Sequence, residues 1–447
     1  MQWITLADYL LIPFYLIAVY TIAYKFRDRV YPPGHAWRPY FIPGLTVKIV
    51  GAVFISLIYQ YYYGAGDTMF YFEQSKVVNS AFSESPVKWL NLIFHIPAAY
   101  DGAYMEYTSR IIWYTTLNNY MVVIVSAVLG IFTFNTYLPT SVLFAAMSFT
   151  GIWALFRTFA RIYPTLIKPI ALVLLFIPST FIWGSGIFKD TICMFGMGWM
   201  ISGVFTLLIQ RKLKRLQLVM MVLGIYLIAV IKIYILLAFI PAIGLWLVFS
   251  YSSQLRSGVV RFLLKISLGG LTVIGFYAFS NTFAEDLGQY SFENIERTAT
   301  VTQTYIYQSS GDQGSRYSIG KLDFTPAGLI KSFPLAINVT LFRPYIWESK
   351  KPIVLFNALE ASIFLLLTLK LLLRIGPFRI WRAIRSDPNI QFCLIFTIIF
   401  AFAVGLTSGT FGTLSRYRIP CLPLYGLALV LIYYRYNPAD KKFLTLK

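Results

Sequence analysis

The chain reads as an all-α, polytopic helical membrane protein with about 11–13 transmembrane helices and two long extracytoplasmic loops. Three observations carry that expectation: an apolar composition, a dozen continuous apolar runs, and basic residues gathered into short loops. Hydrophobic residues make up 58% of the 447 and charged residues 13%, with a mean hydropathy of +0.66. Soluble chains carry about 25% charged residues, so this one has too few charges to cover a water-facing surface. Aromatics reach 18%, which suits bilayer interfaces, where Tyr and Trp rings sit half wet and half dry.

A spanning helix needs about 20 mostly apolar residues. Such runs lie at 6–24, 44–63, 120–135, 139–157, 167–183, 190–210, 216–233, 234–250, 262–280, 352–374, 390–407 and 418–434. They are continuous rather than alternating, which predicts helices rather than a β-barrel. The pair at 216–233 and 234–250 meets at Lys232 with almost no connection. The layout divides into an N-terminal transmembrane module over 1–280, a loop over 281–351 and C-terminal helices over 352–447. Internal repeats and low-complexity tracts are not evident.

The loops sort by charge. Six segments, at 25–38, 157–168, 211–215, 256–265, 370–387 and the tail from 435, carry +3, +3, +4, +3, +4 and +3. Lys and Arg resist translocation, so these belong in the cytoplasm. That disposition accounts for the formal charge of +20 without invoking nucleic acid as a partner. Residues 64–119 hold five acids and three bases, and 281–351 hold seven of each; both are expected outside. One inconsistency follows. With 25–38 inside and 64–119 outside, an odd number of crossings is needed before 157–168, yet two runs are read there. One of those runs is re-entrant, or an amphipathic segment near 87–104 also crosses, or 64–119 lies inside.

The first apolar run has Asp8 before it and Lys25, Arg27 and Arg29 after it, the reverse of a signal peptide's charge order. Cys193, Cys393 and Cys421 show no paired spacing, and His35 and His95 are far apart. Neither a disulfide framework nor a zinc site is expected.

Four constellations can carry chemistry. Tyr61-Tyr62-Tyr63-Gly64-Ala65-Gly66-Asp67-Thr68 places Asp67 among aromatics where a span leaves the bilayer. A carboxylate there can serve as a general base; the alternative is an acidic turn residue at a helix end. Pro178 to Asp190 is a Pro- and Gly-broken turn ending in Lys189-Asp190. Ionisable groups at membrane depth tend to mark function, although a self-paired charge near an N-cap would explain them equally. Leu341 to Glu348 offers Arg343 and Glu348 among aromatics. Arg suits phosphate because its donors form a fork, whereas Trp347 and Tyr345 suit an interfacial anchor. Ser415-Arg416-Tyr417-Arg418-Ile419-Pro420 puts two arginines where the inside rule does not expect them. Binding an anionic head group is one reason, and snorkelling is the other. By alternation, all four sites share the outer face.

These motifs resemble those of bacterial polytopic sugar transferases of the GT-C type, which use polyprenyl-phosphate-linked sugars. Gly66-Asp67-Thr68 matches their acidic residue in a large extracytoplasmic loop. Gly186-Ile187-Phe188-Lys189-Asp190 is similar to a Ser-Gly-x-x-Lys-Asp turn. Arg416-Tyr417-Arg418-Ile419-Pro420 looks like an Arg-Tyr-x-x-Pro signature before a late helix. The resemblance implies a multi-pass protein of the bacterial inner membrane that builds cell-envelope glycan. Asp67 would be catalytic, and Lys189, Asp190, Arg343, Glu348, Arg416, Tyr417 and Arg418 would bind substrate or its phosphate. Two departures stand: the acidic loop follows the second apolar run, and Asp67 has no acidic neighbour. A divalent cation stays open, since one carboxylate without a second ligand argues only weakly against a held ion. The partners implied are a polyprenyl-phosphate-linked sugar donor and membrane lipids. A lipid-linked glycan polymerase and a flippase of lipid-linked glycans are the competing functions, and a scaffold without catalysis is a third.

Overall fold

The computed structural model describes residues 3–252, 259, 267, 301, 317, 325–349 and 351–438. It is helical, with no strand among the described residues. The expected span at 262–280 and most of 281–351 lie outside them. Among the described residues, seven helices are long and apolar enough to cross a membrane, and an eighth is counted if one pair bent by 65° is a broken span. This is a polytopic, all-α membrane protein.

The described chain falls into two compact units. The first comprises Met1–Ile167, Thr180–Phe205 and Leu213–Lys232; the second comprises Lys168–Ser179, Thr206–Lys212 and Ile233–Lys447. In the first unit, α1 (Leu6–Val30) and α2 (Arg38–Ile58) are followed by three helices in the stretch expected as loop and a fourth on the apolar run read at 120–135. These are α3 (Asp67–Glu84), α4 (Pro86–Ile93), α5 (Met105–Thr108) and α6 (Leu117–Ile131). Then come α7 (Tyr137–Ile162), α8 (Ile167–Leu175), which from Lys168 on belongs to the second unit, α9 (Pro178–Trp183) and α10 (Lys189–Val204). The chain passes between the units at the start of α8, within α9, on either side of Thr206–Lys212, and within α11 (Arg215–Ser252).

The ends of the first unit can be assigned from its own contacts. Gln60, past α2, accepts from the backbone N–H groups of Trp3 and Ile4 at 2.9 and 3.2 Å. Asp8 is buried in the first turn of α1 and accepts from the Leu138 N–H, at the start of α7, at 2.8 Å. Thr68 and Tyr137 share a hydroxyl hydrogen bond of 2.8 Å. Residues 3–8, 60–68 and 137–138 therefore lie at one end. At the other, the Trp153 indole donates to the Tyr31 hydroxyl at 2.9 Å and the Arg161 guanidinium lies over the Trp37 ring. The basic stretches 25–38 and 157–161 share that end.

This resolves the crossing problem. The chain from 68 to 137 leaves one end of the unit and returns to it, so the apolar run at 120–135 adds no net crossing. Its helix, α6, has 15 residues and packs alongside α3: Tyr71 donates to Asn119 at 2.9 Å and Ser126 to Ser75 at 3.0 Å. Helix α7 makes the passage to the basic end. Glycines let it approach α10 closely; a Cβ on Gly198 would stand 1.9 Å from the Gly151 carbonyl oxygen. Small residues at such crossings replace the hydrophobic drive that lipid cannot supply.

Helix α11 is two helices joined at Lys232, whose backbone is non-helical (φ −146°, ψ 71°). These arms match the two runs read at 216–233 and 234–250. The second arm packs antiparallel on the helix Pro388–Thr407 of the second unit, with Phe239 on Phe396 and Trp246 on Phe392 (ring centroids 3.7 and 4.4 Å). The second unit continues with α12 (Pro326–Phe342), α13 (Pro352–Ile375), α14 (Pro377–Ser386), α15 (Pro388–Thr407), α16 (Phe411–Tyr417) and α17 (Leu422–Tyr436). The bent pair is α16 and α17.

Candidate functional site

In the first unit, Asp67 opens α3. Gly64 before it adopts φ +73°, a left-handed conformation that favours glycine. Gly66 is held against the Tyr59 ring so closely that a Cβ would stand 2.1 Å from Cε1. Asp67 is half-buried, and its Oδ1 accepts from the Thr68 N–H at 3.0 Å. The Tyr59 ring also packs on Phe188, centroid to centroid 5.5 Å. Phe188 is the N-cap of α10, so Lys189 follows directly. The Lys189 ammonium donates to Asn118 Oδ1 at 3.2 Å, in the first turn of α6. Asp67 and Lys189 thus lie at the same end of this unit, the one opposite the basic stretches. The starts of α3, α6 and α10 meet there, and helix starts carry partial positive charge.

Asp190 behaves differently from the expectation of a Lys-Asp self-pair or a ligand-facing group. It is buried and ion-paired with Lys232, which comes from the break in α11. A buried carboxylate needs a compensating cation, and the non-helical backbone at residue 232 presents one.

Lys48 was not anticipated. It lies in mid α2, is 2% exposed, and donates to Ser148 Oγ at 3.1 Å and to the carbonyls of Thr180 and Gly184 at 3.3 and 2.7 Å. An ammonium has three donors, and three acceptors meet it. Those carbonyls are accessible because α9 ends there. The signal was a single cation inside the run at 44–63.

In the second unit, Arg343, Glu348, Arg416, Tyr417 and Arg418 come from neighbouring elements. Arg418 follows α16 and is 0% exposed. Its Nη1 donates to the Arg343 carbonyl at 2.8 Å and to the Thr340 carbonyl at 3.5 Å, at the end of α12. Its Nη2 reaches the Asn357 carbonyl at 3.3 Å and Glu360 at 3.5 Å on α13. Glu360 in turn accepts from the Ser179 N–H and hydroxyl at 2.8 and 2.7 Å. Expected as a phosphate ligand, Arg418 is instead an internal tie. Full enclosure in an apolar setting forces a guanidinium onto carbonyls and a carboxylate.

Arg343 forms an ion pair with Glu348, whose other oxygen accepts from the Tyr345 N–H at 2.8 Å. The Arg343 guanidinium also lies 5.4, 5.3 and 6.0 Å from the ring centres of Tyr317, Phe411 and Tyr345, within cation–π range. Tyr317 was not foreseen, and no motif marks it. Arg416 and Tyr417 end α16 and are half-buried. Among the described residues, no group of three or more His, Cys, Asp or Glu side chains is placed to hold a metal.

Burial works against the charge on Glu348, but Arg343 and the Tyr345 N–H outweigh it, so its pKa is lowered from the usual Glu value. A carboxylate with a lowered folded pKa contributes stability above its unfolded pKa and loses it as pH falls through the folded one. Thermal unfolding followed from about pH 6 to about pH 3 is expected to show an acid-side loss that Glu348→Gln reduces. Superimposable profiles would remove the pair's contribution.

No family model, curated protein or solved structure matches the chain.

Proposed function

We propose that the chain is a membrane glycosyltransferase that moves a sugar from a polyprenyl-phosphate-linked donor to a lipid, glycan or protein acceptor. The observation that carries this reading is the company of Asp67 and Lys189 at the end of the first unit away from the basic stretches. Asp67, half-buried at a helix start, takes the proton from the acceptor hydroxyl as the new glycosidic bond forms. Lys189, beside Asn118, meets the phosphate leaving with the lipid. Helix starts around them favour that negative charge. Arg416 and Tyr417 remain candidates for substrate contact, and Asp190, Glu348 and Arg418 support their surroundings.

The test uses the full-length protein in proteoliposomes with radiolabelled polyprenyl-phosphate hexoses. Asp67→Asn is expected to lower transfer about 100-fold, the scale of a lost general base, at unchanged protein level. Transfer equal to wild type would overturn the assignment.

A flippase of lipid-linked glycan is the second reading, favoured by one feature. The stretch from α9 to α10 is broken, and Lys48 meets the Thr180 and Gly184 carbonyls where α9 ends; broken helices with polar groups at depth are common in transporters. Under that reading, Asp67→Asn leaves lipid translocation intact and Lys48→Met abolishes it.

A further inference from the structure

Helix α14 has a surface that the proposed reaction does not use. It joins α13 and α15 through one residue on each side, Gly376 and Asp387. Both neighbours are long and apolar enough to cross a membrane, so such short connections hold α14 at the level where they emerge. Its contacts place it at one end of the second unit. The Tyr436 hydroxyl donates to the Arg379 carbonyl at 2.8 Å, and Arg435 lies 3.9 Å from Asp387.

The sequence Pro-Phe-Arg-Ile-Trp-Arg-Ala-Ile-Arg-Ser is amphipathic at helical spacing. Ala383 is fully buried, and Ile380 and Ile384 beside it are partly covered. The opposite arc is open. Phe378 is 88% and Trp381 64% exposed, with Arg379, Arg382 and Arg385 exposed between and beside them. Among the described residues, no carboxylate lies within ion-pair distance of those three arginines, and Asp387 is engaged by Arg435 and by the Asn389 N–H.

An exposed face of this kind in water would be a liability. At a bilayer surface it is matched part by part. Trp and Phe occupy the head-group boundary, while the arginines meet phosphate with bidentate donors. Basic residues next to a span gain affinity from anionic lipid. We infer that α14 is a docking surface for the anionic phospholipid of the adjoining leaflet, with Arg379, Arg382 and Arg385 on head-group phosphates and Phe378 and Trp381 in the acyl boundary. The surface is independent of the transfer reaction.

The experiment takes full-length protein in micelles with equal phosphatidylglycerol and phosphatidylcholine, and reads bound lipid by native mass spectrometry. The R379Q/R382Q/R385Q variant is expected to lose about 100-fold in preference for phosphatidylglycerol, given about 1 kcal/mol per basic residue. R379K/R382K/R385K should keep most of it. R211Q/K212Q/K214Q, with the same charge removed elsewhere, should change it little. A local probe covers the case of poor folding in the glutamine variant. Since Cys193, Cys393 and Cys421 are buried, a W381C variant can be labelled selectively with bimane in nanodiscs. Quenching by brominated phospholipid, and shielding from aqueous iodide, are expected. Equal lipid preference in wild type and the glutamine variant overturns the inference. So does a bimane open to iodide and untouched by bromolipid, the result if a soluble protein is the natural occupant. Displacement of phosphatidylglycerol by equimolar glycerol 3-phosphate would also overturn it, by making free phosphate the ligand.

Discussion

Asp190→Ala is expected to destabilise the first unit by about 3–5 kcal/mol, the scale for removing one partner of a buried ion pair. The loss arises because Lys232, 7% exposed, would keep its charge in an apolar setting without the carboxylate of Asp190. Lys232→Met should cost about as much for the mirror reason. The double variant, Asp190→Ala with Lys232→Met, should recover most of the loss, since neither charge then remains. Cys193 supplies the readout. It is buried on α10, three residues beyond Asp190, so a thiol-reactive dye follows the opening of this region on heating. A double variant no better than the worse single would show that the two residues are not partners. A second consequence is functional: Lys189 precedes Asp190, so loosening the start of α10 moves Lys189 away from Asn118. Asp190 acts there as a positioning residue. In the proposed transfer reaction, Asp190→Ala should therefore raise the donor concentration needed as well as lower the melting point.

Arg418→Ala is the other large effect, expected at about 3–5 kcal/mol on the same physical scale. The change removes one donor group from acceptors on two helices at once. The carbonyls of Thr340 and Arg343 and the carboxylate of Glu360 would lose a fully enclosed donor. Arg418→Lys is not expected to rescue it, because a point ammonium cannot reach acceptors on both α12 and α13 as a fork does. Cys421 donates to the Arg418 carbonyl at 3.1 Å, so its reactivity reports this neighbourhood. Wild-type melting in Arg418→Ala, without any ligand present, would return Arg418 to the list of substrate contacts.

Much of this fold was legible because bilayer physics writes itself into composition. Continuous apolar runs and basic loops are long-range patterns, and the helices at 137–162, 352–375 and 388–407 follow them closely. Even the junction at Lys232 was visible as two runs meeting without a loop. The stretch 64–119 was harder. Its net negative charge read as loop, whereas four helices occupy it and its continuation to 131, with half of α3 turned inward. Charge marks the side of the membrane and says little of local structure. The site was legible only as a list of candidates. Asp190, Arg418 and Glu348 have the residue types of ligand contacts, but pairing depends on what approaches from distant segments: Lys232 for Asp190, Glu360 for Arg418. Lys48 shows the converse, a lone cation in an apolar run whose three acceptors lie a hundred or more residues away.

The bond between Asp8 and the start of α7 bears on how the chain is made. A ribosome delivers α6 to the insertion machinery before α7, and α6 is apolar enough to be offered to the lipid as a crossing. If it were accepted, α7 would enter with its polarity reversed and its arginines on the wrong side. Asp8 has by then waited 130 residues in a helix already placed. By taking the Leu138 N–H it ties the start of α7 to the start of α1, so in the folded chain the end of α7 is matched to a segment made 130 residues earlier.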